Sequence, residues 1–193
     1  FARSTREDLT SGFAAARIFD ELDPIEKDKN RILTEQGTAK GMSAMRAMRK
    51  LEPDAVAVVK EGGTSDNPLI QYLLLDSVAN VLCPATKLWN TGHGANELRE
   101  AVSLMGGYGI TEDCPGFLVQ KWTDAQLEAT YEGPEAVQRR QLSATMTNEV
   151  FLAQFEKWIR ELREIASRRP STGACALATA MQMWLWSLRD RKS

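Results

Sequence analysis

Histidine is almost missing from this chain. Among 193 residues there is one, His93, set between two glycines. With no second histidine and no clustered acids, a metal site is excluded. The expected role of His93 is that of a turn residue or local hydrogen-bond donor. Cysteine is nearly as scarce. Cys83, Cys114 and Cys175 are odd in number and widely separated, without metal or redox spacing. They are expected to be reduced thiols in a cytoplasmic compartment, or the mitochondrial matrix in a eukaryote. An excess of positive charge is missing too. A formal charge of −2 and a pI near 5.6 leave no electrostatic footprint for nucleic acid. No signal peptide or polybasic tract is visible. No segment alternates with period two, so a sheet is not expected. Gly62-Gly63 and Gly106-Gly107 follow no strand pattern, which removes the phosphate-loop and dinucleotide-fold readings. The first residue is Phe1, from which a fragment or processed piece is expected.

What remains is helix. A hydrophobic share of 43% against 26% charged residues is ordinary for one globular core. Ser4 and Glu7 form a capping-box pattern before a run that ends near Leu22. Pro24 suits the first turn of a second helix, carried to about Leu51 by Ile32, Leu33, Met42, Met45, Met48 and Leu51. Its methionines read as core. Residues 52–67 read as a loop. Asn67-Pro68 then caps a strongly apolar helix to about Trp89, kinked at Pro84. A turn at Gly92-His93-Gly94 precedes a helix over 95–105, and another starts at Pro134 or Glu135 and runs towards Met146. The tail predicts a helical hairpin. Phe151, Phe155, Trp158, Ile159, Leu162 and Ile165 share one face, a break follows at Arg168 to Gly173, and a helix runs from Ala174 to about Arg189. Its last helix is shorter than the roughly 20 apolar residues of a membrane span. The hairpin is expected to pack on the main bundle; an interfacial membrane or oligomer contact is the alternative. The fold class is therefore all-α.

The densest feature lies between Gly106 and Arg139. At its centre Tyr131-Glu132-Gly133 places a carboxylate at a glycine turn ahead of a helix. A glutamate among apolar neighbours is desolvated and becomes a stronger base. Backbone N–H groups at such a turn can stabilise the negative charge left when a proton leaves carbon. By itself a lone glutamate at a turn is usually a helix cap or a solvated side chain.

Its surroundings resemble a known family. Gly106-Gly107-Tyr108-Gly109, Thr111-Glu112-Asp113-Cys114-Pro115, Asp124-Ala125, Tyr131-Glu132-Gly133 and Gln138-Arg139 occur in the order, and nearly at the spacing, of the C-terminal catalytic segment of acyl-CoA dehydrogenases. Ala95-Asn96-Glu97-Leu98 and Ala101-Val102 are similar to the helix that enters the family's glycine pair. The resemblance implies a helical bundle like the C-terminal domain of those enzymes over residues 1–147, with a helical extension over 148–193. It implies FAD as cofactor and α,β-dehydrogenation of an acyl-CoA thioester, with Glu132 as catalytic base. Tyr131 and Gly133 would lie at the substrate. Ser103, Gly106, Gly107, Pro134 and Ala136 would lie at the FAD, and no metal is implied. Arg139 and Arg140 stand either against cofactor phosphates or on a solvated helix face.

The chain departs from the family pattern at four side chains and in one spacing, with about two extra residues between Pro115 and Asp124. Ser103 replaces a glutamine, Thr123 an arginine, Pro134 a threonine and Ala136 a polar residue. The resemblance further implies a companion polypeptide carrying the N-terminal and β domains, assembly as a homo- or hetero-oligomer, and an electron-transferring flavoprotein as acceptor. The alternatives are a non-catalytic helical subunit that stabilises an oligomer, or an acyl-CoA oxidase or nitroalkane-type enzyme of the superfamily.

Overall fold

A computed structural model describes residues 2–38, 41–111, 117–170 and 173–190. All regular structure among them is helical, as expected. The helices are α1 (Ala2–Glu35), α2 (Gly41–Lys50), α3 (Glu52–Lys60), α4 (Pro68–Leu104), α5 (Gly107–Ile110), α6 (Phe117–Glu128), α7 (Glu135–Thr145), α8 (Glu149–Arg168) and α9 (Ala174–Asp190). They form two compact units, one of residues 1–17 and 80–143, the other of 18–79 and 144–193.

Four expectations are corrected. The first concerns Pro24, which lies inside α1 rather than opening a new helix. Proline removes one helical hydrogen bond. Against that loss, Leu22 and Leu33 are both buried, eleven residues and three helical turns apart, so one continuous helix seats both. Ion pairs of Asp23 with Lys27, Glu26 with Lys29 and Asp28 with Arg31 lace the turns that follow. The helix stops instead at Gly37 (φ 68°), where Thr38 N–H donates to the Leu33 carbonyl at 2.8 Å and Gly37 N–H to that of Thr34 at 3.0 Å. This is a Schellman end, for which glycine is the favoured residue.

Second, Met42 and Met45 are exposed, not core, and α2 buries none of its residues. Third, residues 52–60 form helix α3 in place of a loop. Pro53 and two acids, Glu52 and Asp54, occupy its first turn, and Lys60 its last. Gly62 (φ 71°) closes it. Ala55 is fully buried there, in a cluster with Ile70 and Val150. Fourth, α4 does not end near Trp89 but runs unbroken through Gly92-His93-Gly94. Each glycine costs about 1 kcal/mol in a helix. Contacts one turn apart bridge them: Trp89 stacks on His93 at 4.8 Å, and His93 Nε2 lies 3.6 Å from Glu97. The start of α4 is as expected, with Asn67 Oδ1 accepting from Leu69 N–H at 3.0 Å.

In the second unit the α8–α9 hairpin carries most of the apolar mass. Asn148 caps α8 by accepting from the N–H groups of Val150 and Phe151. Phe151, Phe155 and Trp158 stack along one face, Trp184 of α9 meets Phe155 edge-on at 5.4 Å, and Ile159 and Leu185 are almost wholly buried. Gln154 Nε2 donates both to the Leu74 carbonyl and to Ser77 Oγ, tying α8 to α4 through the buried Ser77.

Candidate functional site

The site residues fall on two corners of the first unit. At the first, α4 ends and the chain reverses into α5. Gly106 adopts φ 60°, ψ −141°, a region open essentially to glycine alone. Gly109 is buried against α4, and a Cβ there would run into the Val102 carbonyl, with the Val102 Cα only 3.1 Å away. Gly107 has neither constraint, since it lacks the positive φ of Gly106 and the crowding of Gly109. A Cβ built on it meets nothing within 4 Å, so its backbone faces open space. Ser103 and Tyr108 are exposed beside it. Two of the three glycines are thus required by the fold, and Gly107 is not.

The second corner joins α6 to α7. Tyr131 N–H bonds back to the Leu127 carbonyl, and the chain then turns through Glu132 at φ 51° and Gly133 at φ 99°. Glu132 is the one non-glycine residue with positive φ among the described residues. Such a conformation costs of order 1 kcal/mol or more and persists only where neighbours over-determine it. Two side chains do so. Lys87 Nζ, from the middle of α4, donates to the Tyr131 carbonyl and lies 5.3 Å from the Tyr131 ring centroid. Gln138 Nε2, from α7, donates to the Glu132 carbonyl at 3.2 Å. A Cβ on Gly133 would collide with that same glutamine side chain.

The turn aims the Glu132 carboxylate outward. It is exposed and, among the described residues, has no hydrogen-bond or ion-pair partner. Tyr131 donates its hydroxyl to Glu128 Oε2 at 2.5 Å, and that carboxylate holds the phenol above its usual range. Pro134 accepts the first bonds of α7 through its carbonyl, from Val137 and Gln138 N–H, and offers no side-chain cap. Ala136 is exposed in the first turn, and Arg139 pairs with Glu135 at 3.2 Å. Arg139 therefore has a carboxylate partner on its own helix.

The structure therefore gathers Tyr131, Glu132, Gly133, Pro134 and Ala136 at one turn, and Ser103, Gly106 and Gly107 at the other corner. The Glu112 to Pro115 part of the signature, including Cys114, lies outside the described residues. Lys87 was not anticipated. It stands 44 residues before the turn it holds, and nothing in its own segment marks it. Around both corners large apolar side chains face outward: Leu104, Met105, Tyr108 and Ile110 at the first, Leu127, Tyr131 and Val137 at the second.

Also in this unit is a cleft of about 540 Å³ between α4, α6 and α7, lined by Trp89, His93, Asn96, Gln126, Glu135 and Arg139 among others. Of the residues singled out from the sequence, Arg139 and His93 line it; Glu132, its neighbours at the turn and the glycine corner do not. Cys83 is partly buried, which pushes its thiol up and away from thiolate reactivity.

A family model described as the acyl-CoA dehydrogenase C-terminal domain matches residues 39–147, more than half of the chain and including both corners. Comparison with curated proteins and with solved structures gave no match.

Proposed function

Because the chain belongs to the acyl-CoA dehydrogenase family through its C-terminal domain, we propose that it takes part in FAD-dependent α,β-dehydrogenation of an acyl-CoA thioester, with Glu132 as the base. The observation that carries this reading is the strained turn. Glu132 is held at φ 51° by Lys87 and Gln138, and its carboxylate has no partner among the described residues. A side chain that is merely a solvated helix cap needs no such support. In the reaction the carboxylate takes the proton from the carbon next to the thioester carbonyl, and the electron pair of that C–H bond moves into the new double bond. FAD, when bound, supplies the acceptor for the hydride that leaves the β carbon.

The glycine corner fits such a group in one respect. Exposed backbone at Gly107, with room where a Cβ would stand, admits close approach of a flat or phosphorylated ligand. Ser103 contributes a hydroxyl there. Pro134 and Ala136 contribute no side-chain donor, so contacts at that turn are limited to the backbone. The base is exposed on this chain, whereas a carbon acid needs a dry site. The outward apolar side chains around both corners supply the surface on which further protein, in the same polypeptide or a companion, completes the enclosure.

The test is Glu132→Gln in the assembled flavoprotein. Substrate-dependent bleaching of the flavin is expected to disappear, by a factor of at least about 10³, while FAD stays bound. Bleaching at the full rate removes Glu132 from the mechanism. Flavin-free protein that still assembles favours instead a helical subunit without catalysis, the reading to which Ser103, Pro134 and Ala136 lend weight. Peroxide formation in place of electron transfer to a flavoprotein acceptor identifies an oxidase.

A further inference from the structure

Helix α9 carries no charged side chain from Ala174 to Leu188. One side of it is the hairpin core, where Ala174, Ala178, Leu185 and Leu188 are buried. The opposite side presents Cys175, Thr179, Met183 and Trp186 to the outside, with Met183 60% and Trp186 62% exposed, and Leu177 and Trp184 flank it. An uncharged helix with large apolar side chains on opposite sides is ordinarily covered on both. The two hydroxyls on the outward side make no demand on a partner: Thr179 Oγ donates to the Cys175 carbonyl at 2.9 Å, and Ser187 Oγ to that of Met183 at 3.2 Å. This face is suited to a medium without hydrogen-bonding groups.

Charge decides which medium. Residues 149–193 hold eight lysines and arginines against five acids, in a chain whose overall charge is −2. The basic residues bracket the uncharged stretch, with Arg168 and Arg169 before it and Arg189, Arg191 and Lys192 after it. Arg168 pairs with Glu164 and Arg189 with Glu156, so it is the net positive excess of the segment that an anionic surface meets. A second copy of the chain laid along α9, parallel or antiparallel, would set these like charges against one another. An anionic surface attracts both ends at once. The uncharged helix is about 22 Å long at 1.5 Å per residue, too short to cross the hydrocarbon core of about 30 Å. Tryptophan beside cations is the composition of a helix lying in the headgroup plane.

We propose that the outward face of α9 rests on an anionic lipid surface, parallel to it, with Met183 and Trp186 inserted among the acyl chains. The test is co-sedimentation of the protein, in whatever assembly it forms, with vesicles of phosphatidylcholine alone or mixed with phosphatidylglycerol. Binding is expected to the mixed vesicles, to weaken at least about tenfold on raising salt, and to be far lower on phosphatidylcholine. The double variant M183S/W186S should lose binding by about tenfold or more with its melting temperature lowered by only a few degrees, since both side chains are mostly exposed. Fluorescence quenching by acyl-brominated lipid, present in the native protein and reduced in W186F, reports insertion independently. Failure to bind the mixed vesicles, equal binding to both compositions, or undiminished binding by the double variant overturns the proposal. So does a chain dimer dissolved by the same two substitutions.

Discussion

The glycines of the Gly106 to Gly109 stretch look alike in the sequence and are physically different. Gly109 is a packing residue. A methyl group there meets backbone of α4, which cannot step aside. Gly109→Ala is therefore expected to lower stability by about 2 kcal/mol or more, the range of an overpacked core position. Gly107→Ala should leave the melting temperature within about a degree, because α5 accepts alanine there and space is open. If a flavin approaches that backbone, the same variant loses bound flavin on gel filtration. Retention of full flavin content by a stable Gly107→Ala protein would mean that the glycine corner is not part of the cofactor site. Glu132 shows the converse: its type and place are readable in Tyr-Glu-Gly, while its left-handed backbone and its support by Lys87 are not.

Helix boundaries were legible where the signal is local chemistry. Asn67, the start of α7 at Glu135 and the break before Gly173 all announce themselves through caps, proline and glycine. They were illegible where a breaker is overridden by packing. Pro24 and Gly92-His93-Gly94 sit inside continuous helices because burial and side-chain contacts a turn apart outweigh the local cost. Proline in a helix interior costs about 3 kcal/mol. Pro24→Ala is accordingly expected to raise stability by up to that amount, read as a higher urea midpoint at unchanged slope. A lower midpoint would show that Pro24 has a packing role of its own. Helix α3 was hidden by the glycines and acids that end the segment. Yet Pro53 followed by Asp54 is a fair helix start, and Ala55 shows what the helix is for.

For the whole molecule, one charged cluster sets a limit on the alkaline side. Lys29 lies 3.7 Å above the Tyr72 ring and 3.0 Å from Glu26. Burial alone would lower the Lys29 pKa; its bonds to Glu26 and Tyr72 outweigh this and raise it above 10.5. Burial raises Tyr72 above 10.0. Both groups bind protons more tightly in the fold than in the unfolded chain. Their contribution is thus complete below about pH 10 and is lost as pH rises through the raised values. The melting temperature should therefore fall between pH 9 and 11 more steeply in the native chain than in a K29M/Y72F variant; parallel curves would remove this cluster from the account. The sequence by itself determined the all-α class, the family and the position of the carboxylate, because composition, capping and motif order are local properties. Only the tertiary structure decided that α1 and α4 run through their breakers, that Gly107 is spare while Gly109 is packed, and that Lys87 and Gln138 hold the Glu132 turn. Those outcomes depend on which atoms meet across helices, and the order of residues along a chain does not state that.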